Sequence, residues 1–133
     1  MQNATNHIKR ELQLTADGSH TLFIPEMDEH YHSVNGAVQE SRHVFIEAGL
    51  HHLERREITI LEIGFGTGLN AFLTLLDAEA CQRKIHYCSI ELYPLGTDVI
   101  ESLNYGEMLC AGRKDVFHAL HQAEWNVAVQ VTE

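Results

Sequence analysis

The alternation of apolar and polar positions near the N-terminus predicts a β-hairpin. Residues 11–14 and 21–24 alternate in this way, and the turn formers Asp17 and Gly18 lie between them. Residues 38–53 then carry apolar side chains at helical spacing, which predicts a helix that packs through one face. That predicted face consists of Val44, Phe45, Ala48 and Leu53.

A strand, a glycine-rich turn, a helix and a second strand are predicted between residues 58 and 90. The β-branched run 58–63 ends at a glycine cluster, as is typical of a parallel strand that is buried on both faces. An apolar stripe at helical spacing follows, and residues 85–90 predict the second strand. This order is a β-α-β unit, whose strands are parallel. The stripe consists of Leu69, Phe72, Leu73, Leu76 and Ala80.

The remaining residues predict two helices and a third strand. Pro94 suits the start of one helix, Asp115 suits the N-cap of another, and residues 127–132 have the pattern of a strand. Phe117 and Trp125 are expected in the core. A doubly wound sheet usually has about five strands or more, so we expect a single partial domain. In this interpretation residues 1–56 form an N-terminal extension, and residues 57–133 form the first half of the core.

Composition narrows the possible functions. The chain has 133 residues, 44% of them apolar, and a net charge of −10, which repels polyanions at long range. The three cysteines form no C-x-x-C pair and the ten histidines have no metal-ligand spacing, so we predict no disulfide framework and no metal site. The polar start over residues 1–10 and the short apolar runs predict a cytoplasmic protein with no export signal or membrane span.

The glycines that follow the first predicted parallel strand form the main candidate site. Gly64, Gly66 and Gly68 allow backbone angles that other residues avoid, and they let a ligand approach the main chain. At the carboxyl end of a parallel strand, such a loop forms a cofactor crevice. Glu91, at the end of the second strand, is expected beside the loop, where its carboxylate would accept both hydroxyls of a ribose.

Glu62 favours one class of cofactor. Dinucleotide-binding loops have the pattern G-x-G-x-x-G, whereas here the third glycine comes one position early and a carboxylate precedes the loop. Glu62 would repel a pyrophosphate but would hold the α-ammonium group of a methionine moiety. This favours S-adenosylmethionine. A NAD-dependent oxidoreductase and a non-catalytic nucleotide-binding or interaction module remain the alternatives.

The loop sequence E-I-G-F-G-T-G-L-N, with the upstream segments Y-H-S, G-A and E-S, resembles the MnmD-type tRNA methyltransferases, the methylating half of the bifunctional MnmC proteins. The resemblance implies an α/β, Rossmann-like methyltransferase fold and S-adenosylmethionine as the cofactor. It also implies tRNA as the partner, with methylation of the 5-aminomethyl group of wobble uridine 34.

The resemblance assigns roles residue by residue. Cofactor-binding roles fall on Glu62, Gly64, Phe65, Gly66, Thr67, Gly68, Asn70 and Glu91. Substrate-side roles fall on Tyr31, Ser33, Gly36 and Ser41, and Glu40 is the candidate proton acceptor. The family's D-A-F-x-P segment has no match here. We therefore expect a truncated methyltransferase core that is inactive as it stands and that has an exposed sheet edge able to pair copies of the chain.

Two groups of cations are distinguished by their positions. The doublets Arg55-Arg56 and Arg83-Lys84 precede the parallel strands, which places them at the edge opposite the crevice. We predict that they are solvated. Lys9, Arg10 and Arg42 lie closer in sequence to the upstream segments and are the better candidates for contacts with tRNA phosphates.

Overall fold

The computed structural model describes residues 8–133, and most of the polar start that was predicted to carry no export signal lies outside them. The predicted hairpin is confirmed: β1 (Glu11–Leu14) pairs antiparallel with β2 (His20–Ile24). A short strand β3 (Glu29–His30), which the sequence did not predict, pairs with the far side of β2. The N-terminal sheet is therefore a three-stranded antiparallel meander.

The turn of this hairpin caps the next helix, α1 (Ala37–Ser41). The backbone N–H groups of the first three residues of α1 donate in order to the side-chain oxygens of Thr15, Ser19 and Asp17, at 3.1, 3.1 and 2.9 Å. Helix N-termini always leave such donors without an intrahelical partner. Gly36 precedes the helix, and a Cβ atom there would lie 2.8 Å from an Asp17 oxygen. The hairpin turn and α1 thus form one unit.

The predicted continuous helix over residues 38–53 is wrong in form and in its buried face. After α1 the chain forms a π-helical segment (Arg42–Glu47) and a 3₁₀ turn (Leu50–His52). Ile46 and Leu50 are buried, whereas the four predicted face residues are exposed. A π-helical turn contains more residues than an α-helical turn, so it rotates the following side chains away from the face that α-helical spacing predicts.

The β-α-β unit is confirmed. β4 (Glu57–Ile63), α2 (Leu69–Cys81) and β5 (Lys84–Ile90) follow in order, and β4 and β5 are parallel. The predicted burial of β4 on both faces is wrong. Helix α2 covers one face, while on the other Leu61 and Ile63 are 65% and 75% exposed, because no element within residues 8–133 packs there. The expected pairing of copies through a sheet edge stays a prediction, because this bare surface is a face of the sheet and not its edge.

Three helices follow β5: α3 (Thr97–Ser102), α4 (Tyr105–Cys110) and α5 (Lys114–Gln122), with a 3₁₀ turn (Ala111–Arg113) before α5. The sequence did not predict α4. Asp115 lies in the first turn of α5 rather than at its N-cap, which is Arg113. Phe117 is buried as predicted.

The C-terminal predictions fail. Residues 127–132 form no strand, and Trp125 is half exposed rather than in the core. Alternating apolar residues form a strand only when a neighbouring strand accepts their backbone hydrogen bonds, and β4 and β5 pair only with each other among the described residues. No helix between residues 8 and 133 is long and apolar enough to cross a membrane.

Candidate functional site: the glycine-loop cleft

The loop between β4 and α2 depends on its glycines. Gly64, Gly66 and Gly68 have φ angles of +89°, +55° and +74°, in the left-handed region that side-chain-bearing residues avoid. The N–H of Gly64 donates to the carbonyl of Ile90 at 2.7 Å and so extends the parallel ladder. A Cβ atom on Gly66 would lie 3.2 Å from the ring of Tyr31, so the N-terminal extension packs closely on the loop.

Glu91 lies beside this loop, at the predicted place. Its Oε2 accepts a hydrogen bond from the N–H of Gly66 at 2.8 Å, and its Oε1 accepts one from the N–H of Tyr93 at 2.8 Å. A carboxylate has about four acceptor positions, so each oxygen retains capacity for a further donor. The carboxylate is therefore fixed in orientation and still able to accept two hydroxyl groups.

Glu62 and Asn70 form an acceptor-rich position next to the loop. Burial raises the pKa of Glu62, and the charge of Glu91 raises it further, against hydrogen bonds from neighbouring side chains. One of these neighbours is Ser89, whose hydroxyl donates to Glu62 Oε1 at 2.8 Å. The Asn70 Oδ1 atom is buried and has no hydrogen-bond partner among the described residues. A buried acceptor beside a destabilised carboxylate favours a cationic donor.

Two histidines to which the sequence assigned no role in the site support the loop. His32 Nε2 lies 2.9 Å from the hydroxyl of Thr67, and His121 Nε2 donates to the Thr67 carbonyl at 2.9 Å. Burial lowers the pKa of both histidines. The His121 ring also packs edge-on against Phe65, with ring centroids 5.1 Å apart. No spacing rule connects α5 with the loop, so only the tertiary fold identifies His121.

A cleft of about 230 Å³ lies between the loop and the N-terminal extension. It brings together one predicted substrate-side residue, Tyr31, and the candidate proton acceptor, Glu40, with five of the eight predicted cofactor residues. Its lining includes Tyr31, His32, Glu40, Phe65, Thr67 and Asn70. A second cleft of about 430 Å³ adjoins it along the edge of β4 and includes Glu62. The two clefts share Phe45, Ile63, Gly64 and Asn70.

The other predicted substrate-side residues do not line either cleft. Ser33 donates its N–H to Glu40 Oε1 at 3.3 Å and so helps to fix that carboxylate. Gly36 packs against the hairpin turn, and Ser41 is fully buried in α1. Among the predicted site residues that precede the loop in sequence, Tyr31 and Glu40 line the cleft between the loop and the N-terminal extension.

Arg10 joins three parts of the site. Its Nε donates to the hydroxyl of Tyr31 at 2.8 Å, and its Nη2 donates to the carbonyl of Tyr93 at 3.1 Å. Tyr31 lies against Gly66, and Tyr93 donates to Glu91, so Arg10 connects the extension to both sides of the loop. The doublet at 55–56 lies at the opposite end of β4, as predicted. The prediction that the second doublet is solvated is wrong for Arg83, which is half-buried and donates to the Leu50 carbonyl at 3.1 Å.

The fold and the site together define an α/β protein with a glycine loop at the carboxyl end of a parallel strand. Over parts of its length, the chain is similar to tRNA 5-methylaminomethyl-2-thiouridine biosynthesis bifunctional proteins, MnmC. It is 35% identical to the protein of Magnetococcus marinus over 99 residues, which are 70% of this chain and 14% of the relative. It is 32% identical to the protein of Cupriavidus necator over 123 residues, which are 87% of this chain and 18% of the relative.

The chain is also similar to a solved structure of a protein with a related name. The chain matches the crystal structure of MnmC2 from Aquifex aeolicus with a TM-score of 0.60 and 34% identity, over 68% of this chain and 32% of that one. No family model matches the chain. The chain spans less than a fifth of the length of the two MnmC relatives above.

Proposed function

We propose that this chain binds S-adenosylmethionine at the glycine loop, beside Glu91 and the two adjoining clefts, and belongs to an enzyme that methylates the 5-aminomethyl group of the wobble uridine in tRNA. The observation that carries the proposal is the 2.8 Å hydrogen bond from the Gly66 N–H to Glu91, which fixes a carboxylate at the loop. The similarity to proteins named for 5-methylaminomethyl-2-thiouridine supports the proposed substrate. The proposed core is Rossmann-like, runs over residues 57–133, and follows an extension over residues 1–56.

The hydrogen-bond acceptors of the site fit this cofactor. Glu91 has free acceptor positions for the two ribose hydroxyls, as argued above. Glu62 and the unpartnered Asn70 Oδ1 supply acceptors for the α-ammonium group of the methionine moiety. A pyrophosphate fits less well, because the Gly66 N–H is already bonded to Glu91 and two carboxylates would face the anion.

The bound cofactor would supply a methyl group on a positively charged sulfur for in-line transfer to an amine. The chain's contribution is alignment, exclusion of water and proton removal. Glu40 lies in the cleft and is the proposed acceptor of the proton that the attacking amine loses. His32 lines the same cleft, and its lowered pKa keeps it neutral near pH 7, so it does not repel a cation there.

Phosphates of tRNA would approach the side of the cleft where the extension lies. The overall charge of −10 opposes this approach, so local cations must provide the attraction. Arg10 is placed for this role, because its guanidinium lies between Tyr31 and Tyr93 beside the loop. Arg42, in the π-helical segment, is the second candidate.

Calorimetric titration of the chain with S-adenosylhomocysteine and with NADH tests the proposal. We expect saturable binding of S-adenosylhomocysteine, at least tenfold weaker binding in Glu91→Gln, and unchanged binding in Glu26→Gln, a variant of an exposed carboxylate remote in sequence from the loop. Preference for NADH would favour an oxidoreductase. Binding of neither compound would favour an interaction module. Either of these two results would overturn the proposal.

A further inference from the structure

Three potential metal ligands meet on the surface near the C-terminal half of α2. His51 belongs to the 3₁₀ turn before β4, while Asp77 and Cys81 lie one turn apart on α2. His51 Nε2 is 2.6 Å from Asp77 Oδ1, and Cys81 Sγ is 3.9 Å from the same oxygen. The three ligand atoms all lie within 4.8 Å of one another. Because 26 residues separate His51 from Asp77, the sequence offers no spacing that would reveal this cluster.

The electrostatics of Asp77 favour a cation at this position. Its side chain is only 13% exposed, and its Oδ2 atom is buried without a hydrogen-bond partner among the described residues. Within residues 8–133, His51 is the one ion-pair partner of this carboxylate, and no lysine or arginine pairs with it. A poorly solvated carboxylate of this kind is stabilised by a positive charge next to its accessible oxygen.

We propose that His51, Asp77 and Cys81 bind a divalent transition metal of the zinc class. Imidazole nitrogen, carboxylate oxygen and thiolate sulfur are the donors that Zn²⁺ takes in proteins, and three protein ligands leave one position for water. Binding requires the Cys81 thiol to release its proton to solvent, after which the two anionic ligands balance the charge of the ion. Tetrahedral Zn²⁺ holds nitrogen and oxygen ligands about 3.3 Å apart, so the His51 ring must move outward slightly, which its exposed position permits.

The metal would join the 3₁₀ turn to α2. Leu50, in the ligand-bearing turn, and Leu53, directly after it, line the larger of the two clefts. Arg83 already holds this turn through a 3.1 Å hydrogen bond to the Leu50 carbonyl. A bound ion would add a second attachment and would stabilise the wall of that cleft.

Titration of the chelator-treated chain with Zn²⁺, and with Co²⁺ as a spectroscopic probe, tests the site. We expect one saturable Zn²⁺ equivalent, a thiolate-to-cobalt charge-transfer band, and a higher thermal unfolding midpoint with Zn²⁺ present. His51→Gln, Asp77→Asn and Cys81→Ser should each weaken binding at least tenfold, and Cys81→Ser should abolish the cobalt band. The matched controls are His52→Gln and Cys88→Ser. His52 is an exposed residue next to His51, and Cys88 is an exposed cysteine on β5, outside the cluster.

The controls separate this site from adventitious binding by the other histidines. Equal loss of binding in His52→Gln or Cys88→Ser would overturn the proposal, and so would unchanged binding in the three ligand variants. Absence of saturable binding by the parent chain would also overturn it. Circular dichroism of each variant checks that it is folded; His51 and Cys81 are exposed, and Asp77→Asn keeps the size of the partly buried side chain.

Discussion

His121 Nε2 donates a hydrogen bond to the Thr67 carbonyl oxygen at 2.9 Å and so ties α5 to the glycine loop across 54 residues of sequence. Because a carbonyl oxygen only accepts, this ring nitrogen carries a proton. On the same threonine, the hydroxyl contacts His32 at 2.9 Å. The loop is therefore held from the N-terminal extension and from the C-terminal helices at a single residue.

The Thr67 hydroxyl is the first target for mutation. Thr67→Val keeps the shape of a fully buried side chain but leaves His32 without its partner. Loss of one partner of a buried hydrogen bond costs about 1–3 kcal/mol, so we expect the free energy of unfolding to fall by that amount in urea titrations. Thr59→Val, at an exposed position of β4, is the matched control and should change it by less than about 0.5 kcal/mol. Equal effects of the two substitutions would refute this role for Thr67.

The free energy of unfolding should decrease as the pH is lowered from about 7 to 5. Burial holds the pKa values of His32 and His121 below the ordinary value of 6.5. As the pH falls through 6.5, the unfolded chain therefore binds protons more readily than the folded chain. The free energy of unfolding decreases until the pH reaches the pKa of the folded state. Each histidine contributes at most about 1.4 kcal/mol per pH unit within that window.

Thermal unfolding of the double variant His32→Gln/His121→Gln measures this contribution. We expect a smaller loss of melting temperature between pH 7 and 5 than in the parent chain. His43→Gln, a variant of an exposed histidine, should retain the parental dependence. A double variant with the full parental pH dependence would show that other groups cause it.

Local patterns predicted the part of the site that belongs to one β-α-β unit. Parallel strands end at the same edge of a sheet, so the ends of β4 and β5 necessarily bring Glu91 to the loop that follows Glu62. The roles of His32 and His121 were not predictable, because each reaches Thr67 from an element that docks only through tertiary packing.

The failures have physical reasons of the same kind. The π-helical segment after α1 changes which side chains face inward, and no composition signal marks it. Residues 127–132 alternate like a strand but have no strand edge to pair with among the described residues. Short-range periodicity thus located the loop, while long-range contacts decided what surrounds it.

The hairpin turn should stabilise α1 through Asp17. Burial raises the pKa of Asp17, but hydrogen bonds from Ser19, Gln39 and Thr15 outweigh this effect, so the pKa lies below its ordinary value. Asp17→Ala removes these acceptors, and we expect a loss of about 2 kcal/mol at pH 7 in urea titrations. Because the folded pKa is depressed, the stabilisation is full above the ordinary pKa near 4 and should disappear as the pH falls below it.

Glu26→Ala is the comparison for Asp17→Ala, since Glu26 is an exposed carboxylate of the next turn. It should be nearly neutral at every pH. If Asp17→Ala is equally neutral, the contacts between the turn and α1 do not stabilise the fold.

Gly66→Ala tests the loop conformation and the proposed cofactor site together. At φ +55°, a Cβ atom would lie 3.2 Å from the Tyr31 ring, so this substitution combines backbone strain with a close contact. Gly64→Ala, at φ +89° with no atom within 4 Å, carries the backbone strain alone, and Gly112→Ala carries neither. Left-handed backbone costs an alanine about 1–2 kcal/mol, so Gly64→Ala should lose about that much stability, Gly66→Ala more, and Gly112→Ala none. Alanine keeps the backbone N–H, but its contact with Tyr31 would displace the N–H that orients Glu91, so Gly66→Ala should weaken S-adenosylhomocysteine binding in calorimetry more than Gly64→Ala does. Equal affinities of these two variants would mean that displacement of the backbone at Gly66 does not affect the ligand site.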